Sequence, residues 1–333
     1  MAKMSEKMKQ ELKAEKAYNK KHKRMYRLTA NDVIFNIFAY LLFGIFVIIC
    51  IFPFYYIFIN SISSPAAVTS KAVTFWPQGF SLETYKAVIE VKDIGQAFLI
   101  TITRTIIATA LMVLASGIIG YLVTKQEMWH RKLWYRLLVV TMYFNAGIIP
   151  WYLNMAMLGL TNNYMAYIVP AIVAPYNIIL VKTYIESIPA EMEEIAFIDG
   201  AGYAVIFRKI IWPLSKPILA TITIFGAVGN WNSFTDSLML MQSKPQLQTL
   251  QHKLYNYLDS ASDLKSVIDN PDSEVVRRAM DNAAFASVIK YTVSMISIIP
   301  ILIVYPFMQR YFEEGIMLGA VMILHHAGGC RYG

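Results

Sequence analysis

Apolar and polar positions alternate in blocks along this chain. Six apolar stretches, near 33–60, 97–124, 133–158, 163–185, 217–241 and 287–309, are each long enough to cross about 30 Å of hydrocarbon at roughly 1.5 Å per residue. Hydrocarbon offers the backbone no outside hydrogen-bond partner, so these blocks predict six membrane-spanning helices. A polar arm (1–32) precedes the six-span region (33–309), and a short tail (310–333) follows it. Gly147 and Pro150 interrupt the third block, and Pro170 and Pro175 interrupt the fourth. Such breaks either kink a helix or free carbonyls that then need partners in a protein-lined cavity.

Composition agrees with the pattern, since 56% of the 333 residues are hydrophobic and only 16% are charged. Charge then orients the spans. Residues 1–31 hold ten Lys or Arg against three Glu, so most of the formal net charge of +8 sits beside the first span. A juxtamembrane basic arm faces the cytoplasm and its anionic lipid, and this position argues against nucleic acid as the partner. The 125–136 connection carries Lys125, Arg131, Lys132 and Arg136 against Glu127 alone, which also places it inside. With both termini cytoplasmic, 186–217 falls inside and 243–284 outside. The first apolar block is of spanning length, which argues against a cleaved signal peptide. Two cysteines, Cys50 and Cys330, give no disulfide framework or ligand cluster. Neither GxxxxGK[ST] nor GxGxxG occurs, so no phosphate loop is expected in this chain.

One cytoplasmic stretch, "ESIPAEMEEIAFIDGAGYAVIFRKIIWPLSKP" at 186–217, departs from its surroundings. Pro189 suits a first helical turn, and Glu191, Glu193 and Glu194 complement the dipole there. Ile188, Met192, Ile195 and Ala196 form an apolar stripe, with the carboxylates largely opposite. Asp199, Gly200, Ala201 and Gly202 supply a turn. Tyr203, Ile206, Phe207 and Ile210 then mark a second short helix, which carries Arg208 and Lys209 and stops near Pro213. The result is a helix, a glycine turn and a helix.

That stretch resembles the "EAA" loop of the membrane subunits of binding-protein-dependent ABC importers, with Glu194, Ile195, Ala196, Gly200 and Pro213 at the matching places. Ile195 stands where the family usually has alanine. The stretches "FWPQGFSLETYKAVI" (75–89), "YFNAGIIPWYLNMAMLGLTNNYMAYIVP" (143–170), "GNWNSFTDSLML" (229–240) and "YPFMQRYFEEGIMLGAV" (305–321) are similar to the carbohydrate branch, especially members serving oligosaccharides or longer glycans. The final "MILHHAGGCRYG" departs from the family pattern. The resemblance implies an all-α polytopic membrane protein with the type I importer permease fold and six transmembrane helices, in a bacterial cytoplasmic membrane. It implies a non-catalytic subunit. Its partners would be a second permease, two cytoplasmic ATPase subunits that hold the ATP and Mg, and an extracytoplasmic sugar-binding protein. The hairpin would be the coupling element, with contacts from Glu191, Glu194, Ile195, Ala196, Asp199, Gly200, Ala201, Arg208 and Pro213.

Candidates for the translocation path are polar groups within the spans. Arg104 and Asp236 fall at similar depth, and a charge in a bilayer needs a partner, a wet cavity or a snorkelling route to the interface. Asn145, Asn177, Asn230 and Asn232 offer amides for sugar hydroxyls, and Trp231 offers a ring face or belongs to the aromatic belt. In maltose-transporter relatives the sugar site lies on the partner permease. The 243–284 loop is expected to meet the binding protein. A permease for amino acids or peptides is the alternative within the class. A secondary transporter would not need the hairpin, and no cluster of Asp, His or Ser in the spans suggests a membrane enzyme.

Overall fold

The computed structural model describes residues 30–90, 92–263 and 288–306, and the regular elements among them are helical with no strand. The N-terminal arm before Ala30, the 264–284 part of the outer loop and the C-terminal tail, all assigned roles above, lie outside the described residues.

Two units divide the chain. The first, through Tyr56, contains most of α1 (Ala30–Ser61), an apolar helix whose residues up to Phe54 are almost all exposed. A helix that is apolar all round and exposed along its length among the described residues of its unit has the surface of a membrane span.

The second unit begins at Ile57 and is organised on α4 (Lys92–Thr124), which packs most extensively against α7 (Pro175–Ile185) and α10 (Lys216–Asn232). Glycine allows the approach. A Cβ on Gly117 would lie 2.6 Å from the Trp212 ring, and one on Gly120 would lie 3.0 Å from Val181. Separate apolar clusters line α4. One gathers Ala108, Met155, Tyr167, Ile168 and Leu240, and another gathers Tyr121, Val181, Ile185, Ala196, Ile206 and Ile222. A third joins Val88 of α3 (Glu83–Glu90) and Ile94 to Leu250, Ile289 and Val293.

Among the described residues four helices are long and apolar enough to span, Asn31–Ser61, Asp93–Thr124, Tyr164–Ile185 and Val288–Pro306. A fifth is the pair Tyr203–Leu214 and Lys216–Asn232 if that 77° bend lies within one span. The 133–158 block breaks where Gly147 and Pro150 were expected to interrupt it, into α5 (Arg131–Tyr143) and α6 (Ile148–Met157). Asn145 Oδ1 accepts the Gly147 N–H at 2.9 Å, and Gly147 adopts φ +87°, so a local Asx turn outcompetes the helix. The fourth block starts with 3₁₀ turns at Tyr164–Tyr167 and Val169–Ala171 before α7 begins at Pro175. The 217–241 block breaks at Ser233–Phe234 between α10 and α11 (Thr235–Leu240). The chain then passes through a 3₁₀ turn at Pro245–Leu247 into α12 (Leu250–Asp263).

Candidate functional site

The 186–217 stretch folds as α8 (Glu191–Ile198), a turn, and α9 (Tyr203–Leu214). Gly200 has φ +81°, where a Cβ is disfavoured. Its N–H donates to Phe197 O and the Ala201 N–H donates to Ala196 O, each at 2.9 Å. These two bonds make a Schellman closure. The Phe197 and Tyr203 rings meet edge to face across the turn at 4.9 Å. Within α9, Phe207–Ile211 widens to a π turn immediately before Trp212 and Pro213.

The face that α8 turns inward is mixed and is not the apolar stripe alone. Ala196 is buried, but Ile195 is 60% exposed and Ile198 is 85% exposed, whereas Glu193 points in and pairs with Lys125. That pair excludes most solvent at both side chains, and the Lys125 ammonium also lies 4.3 Å from the centre of the Tyr121 ring. The stripe of Ile188, Met192, Ile195 and Ala196 therefore does not form a single buried face. A charge-assisted bond to the end of α4 holds Glu193 inside, and the larger apolar groups are turned to the surface. Glu191, Glu194, Asp199, Arg208 and Pro213 are exposed and Ala201 is half-buried. Lys125 and Glu193 were not foreseen as a pair, although Glu193 shares a helical face with buried Ala196 three residues on.

A second polar locus lies where α10 ends. Arg104 of α4 is 1% exposed, and its Nη1 donates to both oxygens of Asp236 at 3.2 and 3.1 Å. Its Nε donates to the Asn230 carbonyl at 3.0 Å and its Nη2 to the Ser233 carbonyl at 2.8 Å. Both are carbonyls that the break after Asn232 leaves without helical partners, so a cation is favourable here. The Tyr167 ring covers the guanidinium at 4.8 Å. Asp236 Oδ1 also accepts from Ser233 Oγ at 3.0 Å and from the Ser237 N–H at 2.9 Å.

Beside this pair is a cavity of about 480 Å³ bordered by Asn145, Trp151, Asn230, Ser233 and Asp236. Of the residues proposed from sequence for a path, Asn145, Asn230 and Asp236 border it, with Arg104 directly behind. Asn177 is buried elsewhere, its amide donating to Met112 Sδ at 3.0 Å. Trp231 is also elsewhere. Its Nε1 donates to Ser297 O at 3.0 Å, and its ring lines an apolar cavity with Ile102, Val228 and Pro300. Asn232 is exposed and does not border the polar cavity. Trp151 was not foreseen.

Close by, α12 is tied down by a buried polar chain. His252 Nδ1 lies 2.9 Å from Ser237 Oγ, which accepts the Thr249 N–H at 3.2 Å, and the Leu250 N–H donates to Thr101 Oγ1 at 2.9 Å. Burial, helped by neighbouring Lys253 and opposed by Asp236, holds the His252 pKa below the ordinary imidazole value.

No protein-family model matches the chain. It is 31% identical over 291 residues to the polygalacturonan/rhamnogalacturonan transport system permease of Bacillus subtilis (strain 168), covering 86% of this chain and 98% of that protein. It is 34% identical over 276 residues to protein LplC of the same organism, covering 82% and 90%. The structure is similar, with a TM-score of 0.72 and 32% identity, to a chain of a bacterial ABC transporter involved in the import of the acidic polysaccharide alginate. That likeness covers 85% of this chain and 98% of the other.

Proposed function

Because the chain belongs to the membrane permease subunits of carbohydrate ABC importers, we propose that it forms half of an ATP-driven path for oligosaccharides or glycan fragments and couples ATP hydrolysis to it through the 189–213 hairpin. The observation that carries the coupling role is the outward display of Ile195 and Ile198 on a hairpin closed by a Schellman turn. A cluster of large apolar side chains on a polar-flanked loop marks a protein contact. In this reading the contact is an ATPase subunit, with Glu194 and Arg208 as flanking polar contacts and Gly200 setting the shape.

Coupling then has a mechanical route. Closure of the ATPases displaces the hairpin. Ala196 and Ile206 are packed in one cluster with Tyr121 of α4 and Ile222 of α10, and Lys125 ties Glu193 to the end of α4, so displacement reaches both helices. Those helices carry Arg104 and the broken end of α10 beside the polar cavity. The cavity, with Asn145, Asn230 and Asp236, is this chain's share of the path. The full span count in this reading is six, with α5 and α6 together making the third, both termini in the cytoplasm of a bacterial cell, and the 243–284 loop meeting the binding protein outside. The chain itself is non-catalytic. ATP and Mg belong to two separate ATPase subunits, and a second permease completes the path.

The test is reconstitution in proteoliposomes of this chain with its second permease, ATPase subunits and binding protein. ATP-driven accumulation of an oligosaccharide that disappears when this chain is omitted supports the reading. Uptake of amino acids or peptides in its place refutes the carbohydrate assignment.

A further inference from the structure

On the reading that the polar cavity belongs to the path, we infer that this chain's share of it receives neutral, hydroxyl-rich sugar units and disfavours uronates. The relatives' names point the other way, because polygalacturonan and alginate are acidic polymers. The lining argues for the distinction. No Lys, Arg or His borders the cavity among the described residues. Arg104, behind Asp236, is 1% exposed and bonds Asp236 and the carbonyls of Asn230 and Ser233, with Tyr167 stacked over it. It neutralises Asp236 from behind and does not border the cavity.

The cavity meets the carboxylate. Asp236 is 21% exposed at its side chain. Its Oδ1 already accepts from Arg104, Ser233 and Ser237, but among the described residues Oδ2 accepts from Arg104 alone and keeps acceptor capacity. An acceptor with a spare lone pair recognises a donor, and a sugar hydroxyl is one. Asn145 adds a donor, because its Oδ1 is taken by Gly147 while no partner among the described residues takes its amide NH₂. Trp151 adds a ring face for the C–H side of a pyranose. A uronate at this place would lose part of its hydration, face Asp236 and find no cation among the described lining residues, and a partly desolvated anion without a partner is penalised.

The test is direct binding of length-matched neutral and uronate oligosaccharides to the purified intact importer without the binding protein, which removes that protein's own selectivity. We expect the neutral ligand to bind tighter by about tenfold or more, the ratio that one unsatisfied polar contact produces. Thr235→Lys adds a cation to the lining while keeping both Arg104 and Asp236, and it should reduce that ratio to less than about threefold, the loss of half a decade. Uronate binding as tight as neutral binding in the unaltered protein overturns the inference. Binding of neither ligand, while reconstituted ATP-driven sugar uptake proceeds, also overturns it and leaves the proposed function standing. Absence of ATP-driven uptake of any sugar overturns the proposed function itself.

Discussion

Removing Asp236 should destabilise the protein through Arg104 more than through any contact of its own. In Asp236→Leu the guanidinium stays where it is, 1% exposed, and its Nη1 loses both acceptors. Stripping a partner from a fully buried pair costs about 3–5 kcal/mol. Two features reduce that figure here. The Asn230 and Ser233 carbonyls and the Tyr167 ring continue to solvate the cation, and the cavity beside Asp236 admits water. About 2 kcal/mol remains, to which the freed Ser233 hydroxyl and Ser237 N–H add on the order of 1 kcal/mol. Arg104→Met should lose about 2 kcal/mol, chiefly from the carbonyls that end α10. The double variant Arg104→Met/Asp236→Leu leaves no orphan charge, so its loss should fall short of the sum by about 1–2 kcal/mol. Denaturant unfolding of the purified importer in nanodiscs, followed by a probe on α10, measures all three. Additivity within about 0.5 kcal/mol would refute the claim that the two side chains act as one unit.

Three further outcomes follow from other contacts. Glu193→Lys sets two cations together at the hairpin root and should lower sugar uptake per ATP about threefold or more, while Lys125→Glu/Glu193→Lys should restore most of it by reversing the pair; equal defects in the single and double variants would contradict this. Gly117→Leu pushes against the Trp212 ring, so it should destabilise by about 1–3 kcal/mol, with Gly117→Ala in between, as read by thermal melting in nanodiscs. The folded pKa of His252 lies below its unfolded value, so the unfolded chain binds the proton first. Stability from neutral His252 is therefore complete above about pH 6.5, the ordinary imidazole value, and declines as pH falls below it. His252→Gln should flatten that decline in melting temperature between about pH 7.5 and pH 5.5, which bracket the ordinary value.

Periodicity and turn chemistry made much of this legible from sequence. The hairpin was readable because Asp199, Gly200 and Ala201 sit where a helix must reverse, and Gly200 takes the positive φ that residue type implies. Arg104 and Asp236 were readable as partners because a charge within an apolar block has few alternatives. What sequence did not disclose depends on contacts distant along the chain. Trp231 offered a sugar ring face or a place in the aromatic belt, and its bond to the Ser297 carbonyl, 66 residues on, could not be read locally. Which face of α8 turns in was not legible, because Ile195 is equally apolar whether it faces this chain or another, and the Lys125–Glu193 pair with buried Ala196 sets it. The break in the 133–158 block was legible from Gly147 and Pro150, and only the Asn145 side-chain bond that closes the turn there leaves no trace in hydropathy.

The coupling role of the hairpin is tested most directly by the ratio of sugar accumulated to ATP hydrolysed in proteoliposomes carrying Gly200→Val or Ile198→Glu. Valine at φ +81° strains the turn by on the order of 1 kcal/mol or more, and glutamate places a charge on the most exposed apolar residue of α8. Neither substitution touches the cavity or the packing around α4. Both should leave the chain inserted in the membrane and associated with its second permease, with retention of the ATPase subunits reduced or hydrolysis continuing without uptake. Normal ATPase retention together with an unchanged ratio of sugar to ATP in both variants would contradict the assignment of this hairpin as the coupling element.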